Sequence, residues 1–191
     1  MGQVRLYLDR ELGEGQTISL SREQAHYLFG VMRMGLGETL EVFDGRTGAY
    51  AAEVAEAGKK GGTLAVGART APVRRPPDLW LLFAPIKKGR TDFIVEKAAE
   101  LGAARICPVQ TDFTNAERVR RDRLLAHAVE AAEQCGGTFV PEVADLVRLS
   151  DMLADWPEDR RLMFCDEALA GPATALPDSP LAGDPGRWAI L

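Results

Sequence analysis

The chain has 191 residues, 46% hydrophobic and 27% charged, enough for one large packed domain or two small ones. Its net charge of −5 excludes recognition of nucleic acid by bulk positive charge, although residues 1–76 hold 10 Lys+Arg against 9 Asp+Glu and leave room for a local basic patch. The apolar runs, such as Leu79 to Pro85, fall far short of the roughly 20 residues that span a bilayer, so no membrane partner is expected. The N-terminus lacks the apolar stretch of a secretory signal, and Gly2 is not followed by the Ser or Thr at position 6 that myristoylation requires. Cys107, Cys135 and Cys165 have neither zinc-ligand nor disulfide-framework spacing and read as reduced thiols. With two histidines there is no histidine-rich metal site, and the cytoplasm is the expected compartment.

The first 70 residues read as short strands around one helix. Ser21-Arg22-Glu23-Gln24 is a capping box, after which Ala25, Leu28, Val31 and Met32 recur at helical spacing as far as Arg33. Gly35 and Gly37 end that helix. Leu40 to Phe43 alternates as a strand, Asp44-Gly45 opens a turn, and Tyr50 to Val54 and Thr63 to Ala68 are further strands. Many short strands with little helix suggest a small barrel over residues 1–71. Residues 72–77, Pro72-Val73-Arg74-Arg75-Pro76-Pro77, form a linker, because three prolines remove three backbone donors and favour extended chain.

From residue 78 to 191 the pattern changes. Leu79 to Ala84 is a continuous apolar run, as in a strand covered on both faces. A helix follows over Thr91–Leu101, closed by Gly102, then the strand Arg105–Val109. A longer helix runs from about Ala116, capped by Asn115, to Gln134, stopped by Gly136-Gly137. Thr138-Phe139-Val140, a short helix capped by Ser150, the strand Leu162–Cys165 and the strand Trp188–Leu191 complete an alternation that implies a mostly parallel α/β sheet. Ligands in such sheets bind beyond the carboxyl ends of strands, and the last strand stops at Leu191; the chain is therefore expected to be a fragment of a longer one.

Dinucleotide-binding, P-loop, zincin and nucleophile-elbow motifs are absent. Four constellations remain. Lys87-Lys88-Gly89-Arg90, at a strand-to-helix turn, can meet phosphates, although on spacing alone a solvated basic turn is the better reading. Glu96 and Glu100 share a helix face with Lys97 between them. Glu130-Ala131-Ala132-Glu133-Gln134 ahead of Gly136-Gly137 allows close packing and an abrupt helix exit. His26 and Arg33, seven residues apart, lie near one face of the first helix, where Arg33 could hold a phosphate or a carboxylate.

The order of these pieces resembles the RsmE-type 16S rRNA (uracil-N3)-methyltransferases of the SPOUT superfamily. Arg5-Leu6-Tyr7, Ala25-His26-Tyr27-Leu28, Val31-Met32-Arg33, Gly37-Glu38 and Phe43-Asp44-Gly45 are similar to that family's N-terminal barrel. Lys87, Glu96-Lys97, Ala99-Glu100-Leu101-Gly102 and Ile106-Cys107-Pro108 resemble the opening of its catalytic domain; Asn115 to Arg118, Glu130 to Gln134 and Val140-Pro141 resemble the next block. The resemblance implies a PUA-like RNA-binding β-barrel followed by a SPOUT-type parallel α/β domain, trefoil-knotted when complete. It further implies S-adenosyl-L-methionine as cofactor, N3 of a uridine in the decoding region of 16S rRNA in the small ribosomal subunit as target, and a homodimer. Arg5, Arg33, Lys87 and Lys97 are the expected RNA contacts, and the cofactor-binding loop is expected beyond Leu191. The family's Arg residues near Asp112 and at Gly137 are missing here, which removes an expected phosphate contact at each place. The alternative is a non-enzymatic RNA-binding module; a nucleotide-using α/β enzyme of unrelated chemistry is a further rival, weakened by the missing phosphate-loop motifs.

Overall fold

The computed structural model describes residues 3–58, 61–114, 119–166 and 186–191. The chain divides into two compact units, Met1–Arg75 with Ala132–Val140, and Pro76–Ala131 with Pro141–Leu191.

The first unit is built on a five-stranded sheet of β1 (Arg5–Tyr7), β2 (Thr17–Ser19), β3 (Thr39–Phe43), β4 (Ala49–Gly58) and β5 (Gly61–Ala71), in the order β1-β3-β4-β5-β2. β1 runs parallel to β3 and the other pairs are antiparallel. Residues from all five strands, among them Leu6, Ile18, Leu40, Val42, Val54 and Leu64, bury one continuous core. The turn after β3 is organised by Asp44, only 1% exposed, whose carboxylate accepts from the backbone N–H groups of Leu12, Arg46, Thr47 and Gly48 and from the Thr47 hydroxyl. Gly48, at φ 126, closes this turn so tightly that a Cβ would lie 2.2 Å from the Ala71 carbonyl.

The capping box is present: Gln24 N–H donates to Ser21 Oγ at 3.2 Å, and Ser21 N–H to Gln24 Oε1 at 2.9 Å. The helix it opens departs from the expected 3.6 period. α1 covers only Arg22–Ala25 and passes into a π-helix, His26–Val31, where Met32 N–H donates to the Tyr27 carbonyl five residues back. The wider turn keeps Ala25 and Leu28 buried but carries Val31 and Met32 out to 58% and 40% exposure, off the apolar stripe read from the sequence. Arg33 ends it in the left-handed region, φ 58. The 3.6-residue geometry that would place His26 and Arg33 on one face is therefore absent.

The second unit holds a parallel sheet in the order β10-β11-β6-β7-β8, with β9 pairing β7 farther along. Its elements are β6 (Leu79–Phe83), α2 (Lys88–Glu100), β7 (Arg105–Gln110), α3 (Arg121–Cys135, grouped with the first unit from Ala132), β8 (Glu142–Val143), β9 (Val147–Arg148), α4 (Leu149–Ala154), β10 (Arg160–Met163) and β11 (Arg187–Ile190). The parallel sheet agrees with the sequence, while several boundaries shift. α3 begins at Arg121, not near Ala116, and the expected cap Asn115 lies outside the described residues. Ser150 sits inside α4, whose N-cap is Arg148. Strand pairing falls on Glu142–Val143, not on Thr138–Val140, because those two residues find β7 as partner. β10 stops at Met163, two residues short of Cys165.

The amino edge of this sheet is locked by charge. The Arg160 side chain, fully buried, meets the Asp78 carboxylate through two contacts of 2.8 Å, and its other terminal nitrogen donates to the Asp78 and Trp188 carbonyls. Arg187 bonds the same carboxylate at 2.7 Å. Burial alone would raise the Asp78 carboxyl, but the hydrogen bonds and charges of Arg160 and Arg187 hold it below the ordinary carboxylate value.

Candidate functional site: the carboxyl edge of the parallel sheet

β11 lies beside β6 at the centre of the sheet, with β7 and β8 beyond β6 and β10 beyond β11. Ligands of open α/β sheets bind beyond the carboxyl ends of the strands, which makes this edge the candidate site. Ile86, after β6, and Phe164, after β10, flank the end of β11 and are 47% and 66% exposed. The strand ends are held in place: Leu191 N–H donates to the Met163 carbonyl, and Cys165 N–H to the Leu191 carbonyl at 2.8 Å. Thr91, buried, staples the β6–α2 loop by accepting from Ile86 N–H at 3.0 Å and donating to the Ile86 carbonyl at 3.1 Å. Lys87 is exposed at the N-cap of the 13-residue α2. A cation there opposes the helix dipole, an arrangement that gains stability when an anion joins it.

The four cations read from the sequence occupy different settings. Arg5, with a side chain 10% exposed, is spent inside the first unit. Its Nε donates to Glu41 at 2.8 Å, one terminal nitrogen to the Ala132 and Glu133 carbonyls, and the other to the Gly137 carbonyl at 2.9 Å. Its guanidinium also lies 4.7 Å from the centre of the Phe43 ring. Four of the five donors of an arginine are thus engaged. Beside it, Tyr7 N–H donates to Glu133 Oε1, so the Glu130–Gln134 block helps hold the first strand. Arg33 is exposed, near the exposed Val31, Met32 and Leu36, and has no hydrogen-bond or ion-pair partner among the described residues. A groove of about 920 Å³ borders the same π-helix, lined by Arg22, His26, Phe29, Gly30 and Gly58 among others. Gly30 shapes it, since a Cβ there would come within 2.9 Å of His26 Nδ1.

Lys87 and Lys97 stand ten residues apart on α2, about 15 Å along the axis, and do not converge. Lys97 is tied to Glu100 at 2.7 Å and lies 5.6 Å from the Phe93 ring centre. Glu96 turns elsewhere, to His127, whose Nδ1 is 3.0 Å from its carboxylate. His127 Nε2 is 3.5 Å from Asp92, which also pairs with Arg123. This α2–α3 cluster was missed in the sequence, although the i,i+4 spacing of Asp92 with Glu96 and of Arg123 with His127 is its signal. Among the described residues no group of three side chains could hold a metal ion.

A family model described as an RNA methyltransferase domain matches residues 74–180, more than half of the chain. This chain belongs to that RNA methyltransferase family. A second model, an RNA methyltransferase PUA domain, matches residues 20–66 in the first unit. Ribosomal RNA small subunit methyltransferase E of Rickettsia conorii is 25% identical over 150 residues, 78% of this chain and 62% of that protein. Its counterpart in Buchnera aphidicola (subsp. Acyrthosiphon pisum) is 24% identical, covering 73% of this chain and 58% of that one. The chain therefore spans about three-fifths of the length of these curated relatives. Among solved structures, a Legionella pneumophila protein described as a putative methyltransferase in complex with S-adenosylmethionine is 26% identical, with a TM-score of 0.85, covering 100% of this chain and 79% of that one. The Neisseria gonorrhoeae methyltransferase E bound to S-adenosylmethionine shares the fold, with a TM-score of 0.84 at 23% identity over 99% of this chain and 78% of that one. The fold class read from the sequence, a PUA-like β unit followed by a parallel α/β domain of SPOUT type, is borne out.

In this chain the positions of the two departures have distinct settings. Gly137 offers its carbonyl to Arg5. Asp112 is exposed just past the carboxyl end of β7. Among the described residues no helix is long and apolar enough to cross a membrane.

Proposed function

We propose that this chain provides the RNA-binding unit and much of the catalytic unit of an enzyme that methylates N3 of one uridine in the decoding region of 16S rRNA. The enzyme uses S-adenosylmethionine and works in the cytoplasm as a homodimer on the small ribosomal subunit. The observation that carries the reading is the match of residues 74–180, which include the parallel sheet from β6 to β10, to an RNA methyltransferase model, with a Legionella relative described as holding S-adenosylmethionine. The residues present suit that cofactor. Ile86 and Phe164, on either side of the β11 end, supply the apolar surface that an adenosyl or methionyl group would cover, and the loop beyond Leu191 would complete the pocket.

When bound, the cofactor supplies an electrophilic methyl carbon. The chain's own residues hold and orient the RNA: Lys87, at the N-cap of α2, and Arg33, on the PUA-like unit, take phosphates, with Lys97 a further contact when Glu100 releases it. Arg5 serves the fold, its donors being engaged. The target uracil leaves its pairing so that N3 can line up with the methyl carbon, and alignment in a water-poor site supplies much of the rate.

The test uses small subunits from cells lacking this modification, tritiated S-adenosylmethionine, and the chain extended by the segment expected after Leu191. Label recovered in N3-methyluridine after nuclease digestion is the expected result. Label at another base atom overturns the N3 assignment, and no label in RNA favours the non-enzymatic RNA-binding module.

A further inference from the structure

We infer that a pocket at the carboxyl end of β7 is a binding site for one unpaired RNA nucleobase, read by Asp112 and Arg148 and stacked on Phe113. The inference rests on the proposed RNA-modifying function and specifies how this chain would grip its RNA. β7 and β9 run parallel with Gln110 opposite Arg148, which places both side chains on one face of the pair. Around them Thr111, Asp112, Thr114, Ser150 and Leu153 complete a cavity of about 530 Å³, within the roughly 300–1,000 Å³ of small-ligand sites.

The loop is preset. Thr111 N–H donates to Thr114 Oγ1 at 2.8 Å, the two hydroxyls are 3.0 Å apart, and Thr114 N–H donates to the Thr111 carbonyl. Between them Phe113 is 92% exposed, the most exposed of the large hydrophobic side chains among the described residues. An aromatic side chain left this exposed, beside the cavity lining and not part of it, forgoes burial energy and offers a face on which a base can stack, as bases do in single-stranded RNA recognition. Arg148 and Asp112 are exposed, with no ion-pair or hydrogen-bond partner among the described residues. A carboxylate disfavours a phosphate in the same pocket. Acceptor and donor side by side instead match the edge of a base, which presents N–H and C=O groups together; a uracil offers N3–H to Asp112 and a carbonyl to Arg148.

The experiment measures binding of a mixed-sequence single-stranded RNA dodecamer, and of the same dodecamer in duplex, across a salt series. The proteins are the intact chain and its variants Phe113→Ala, Arg148→Gln, Asp112→Asn and Lys87→Ala. Melting temperatures of the Phe113, Arg148 and Asp112 variants should match the parent, since these side chains are exposed. The single strand should bind more tightly than the duplex. Phe113→Ala should weaken it about tenfold, Arg148→Gln and Asp112→Asn severalfold, all three with an unchanged slope of log affinity against log salt. Lys87→Ala, a phosphate contact, should lower that slope by roughly 0.7. If the parent binds RNA and the three pocket variants bind as it does, or if Arg148→Gln lowers the salt slope as Lys87→Ala does, the base pocket is wrong while the RNA-modifying reading stands. If the parent binds no RNA, both fall.

Discussion

Replacing Arg5 by Ala separates a fold-holding arginine from an RNA-binding one. The substitution leaves the Gly137 carbonyl, bonded at 2.9 Å, without its donor, takes one partner from the Ala132 carbonyl, which keeps Gly137 N–H at 3.0 Å, and takes from Glu41 a partner at 2.8 Å. Glu41 keeps the Thr70 hydroxyl, which limits the damage on that side. An orphaned buried acceptor costs about 1–3 kcal/mol, and removing one member of a mostly buried ion pair costs about 3–5 kcal/mol. The contact over Phe43 adds roughly 1 kcal/mol. These terms overlap, since one side chain makes them all, and the net expectation is a loss of about 3–5 kcal/mol. Urea unfolding followed by circular dichroism should show a midpoint lowered by roughly 1 M or more at an unchanged slope. Arg5→Lys, keeping the charge but not the fork, should recover less than half of it. A variant as stable as the parent but weakened in RNA binding would refute this assignment and return Arg5 to the RNA surface.

Two further predictions concern titration and reactivity. Burial alone would raise the Asp44 carboxyl, but the Thr47 hydroxyl and the N–H groups of Arg46, Thr47 and Leu12 hold it below the ordinary carboxylate value. Its folded pKa being the lower one, its contribution to stability is complete above the unfolded value near ~4 and is lost as pH falls through the folded value. Asp78 shares that sign and window. Urea midpoints measured between pH 7 and pH 3 should therefore fall at the acid end, with a shallower fall in Asp44→Asn; an identical acid dependence in that variant would count against the network. Cys107 is buried, and burial pushes its thiol up to about 11, whereas Cys135 and Cys165 are exposed. Iodoacetamide at neutral pH should thus modify two thiols in the native protein and the third only in denaturant, counted by intact mass. Rapid native labelling of all three would show that β7 is less well packed than described.

The architecture was legible in the sequence wherever periodicity and punctuation agreed. The apolar run at 79–84, the capping box at Ser21 and the alternation around Leu40 each led to an element in place. Legibility ended where tertiary contacts override local rules. The spacing of Ala25, Leu28, Val31 and Met32 fits a 3.6-residue period, and nothing local marks the π register that exposes the last two. Arg5 was recognisable as a cation, but the carbonyls that engage it lie about 130 residues away, at the end of α3, and no short-range pattern announces them. Which loops share the carboxyl edge follows from strand order, and that depends on which strand inserts beside β6. The sequence supplies the strands, whereas their pairing, Trp188 with Leu79, Ala189 with Trp80 and Ile190 with Leu81, joins segments more than 100 residues apart.

The most direct test of the cofactor assignment is a calorimetric titration of S-adenosylmethionine into two proteins, the 191-residue chain and the same chain extended by the loop expected after Leu191. Binding by the extended protein alone is the predicted result, because in the proposed site Ile86 and Phe164 supply only part of the surface that holds the cofactor. Failure of both proteins to bind would contradict the methyltransferase account and leave an RNA-binding module in its place.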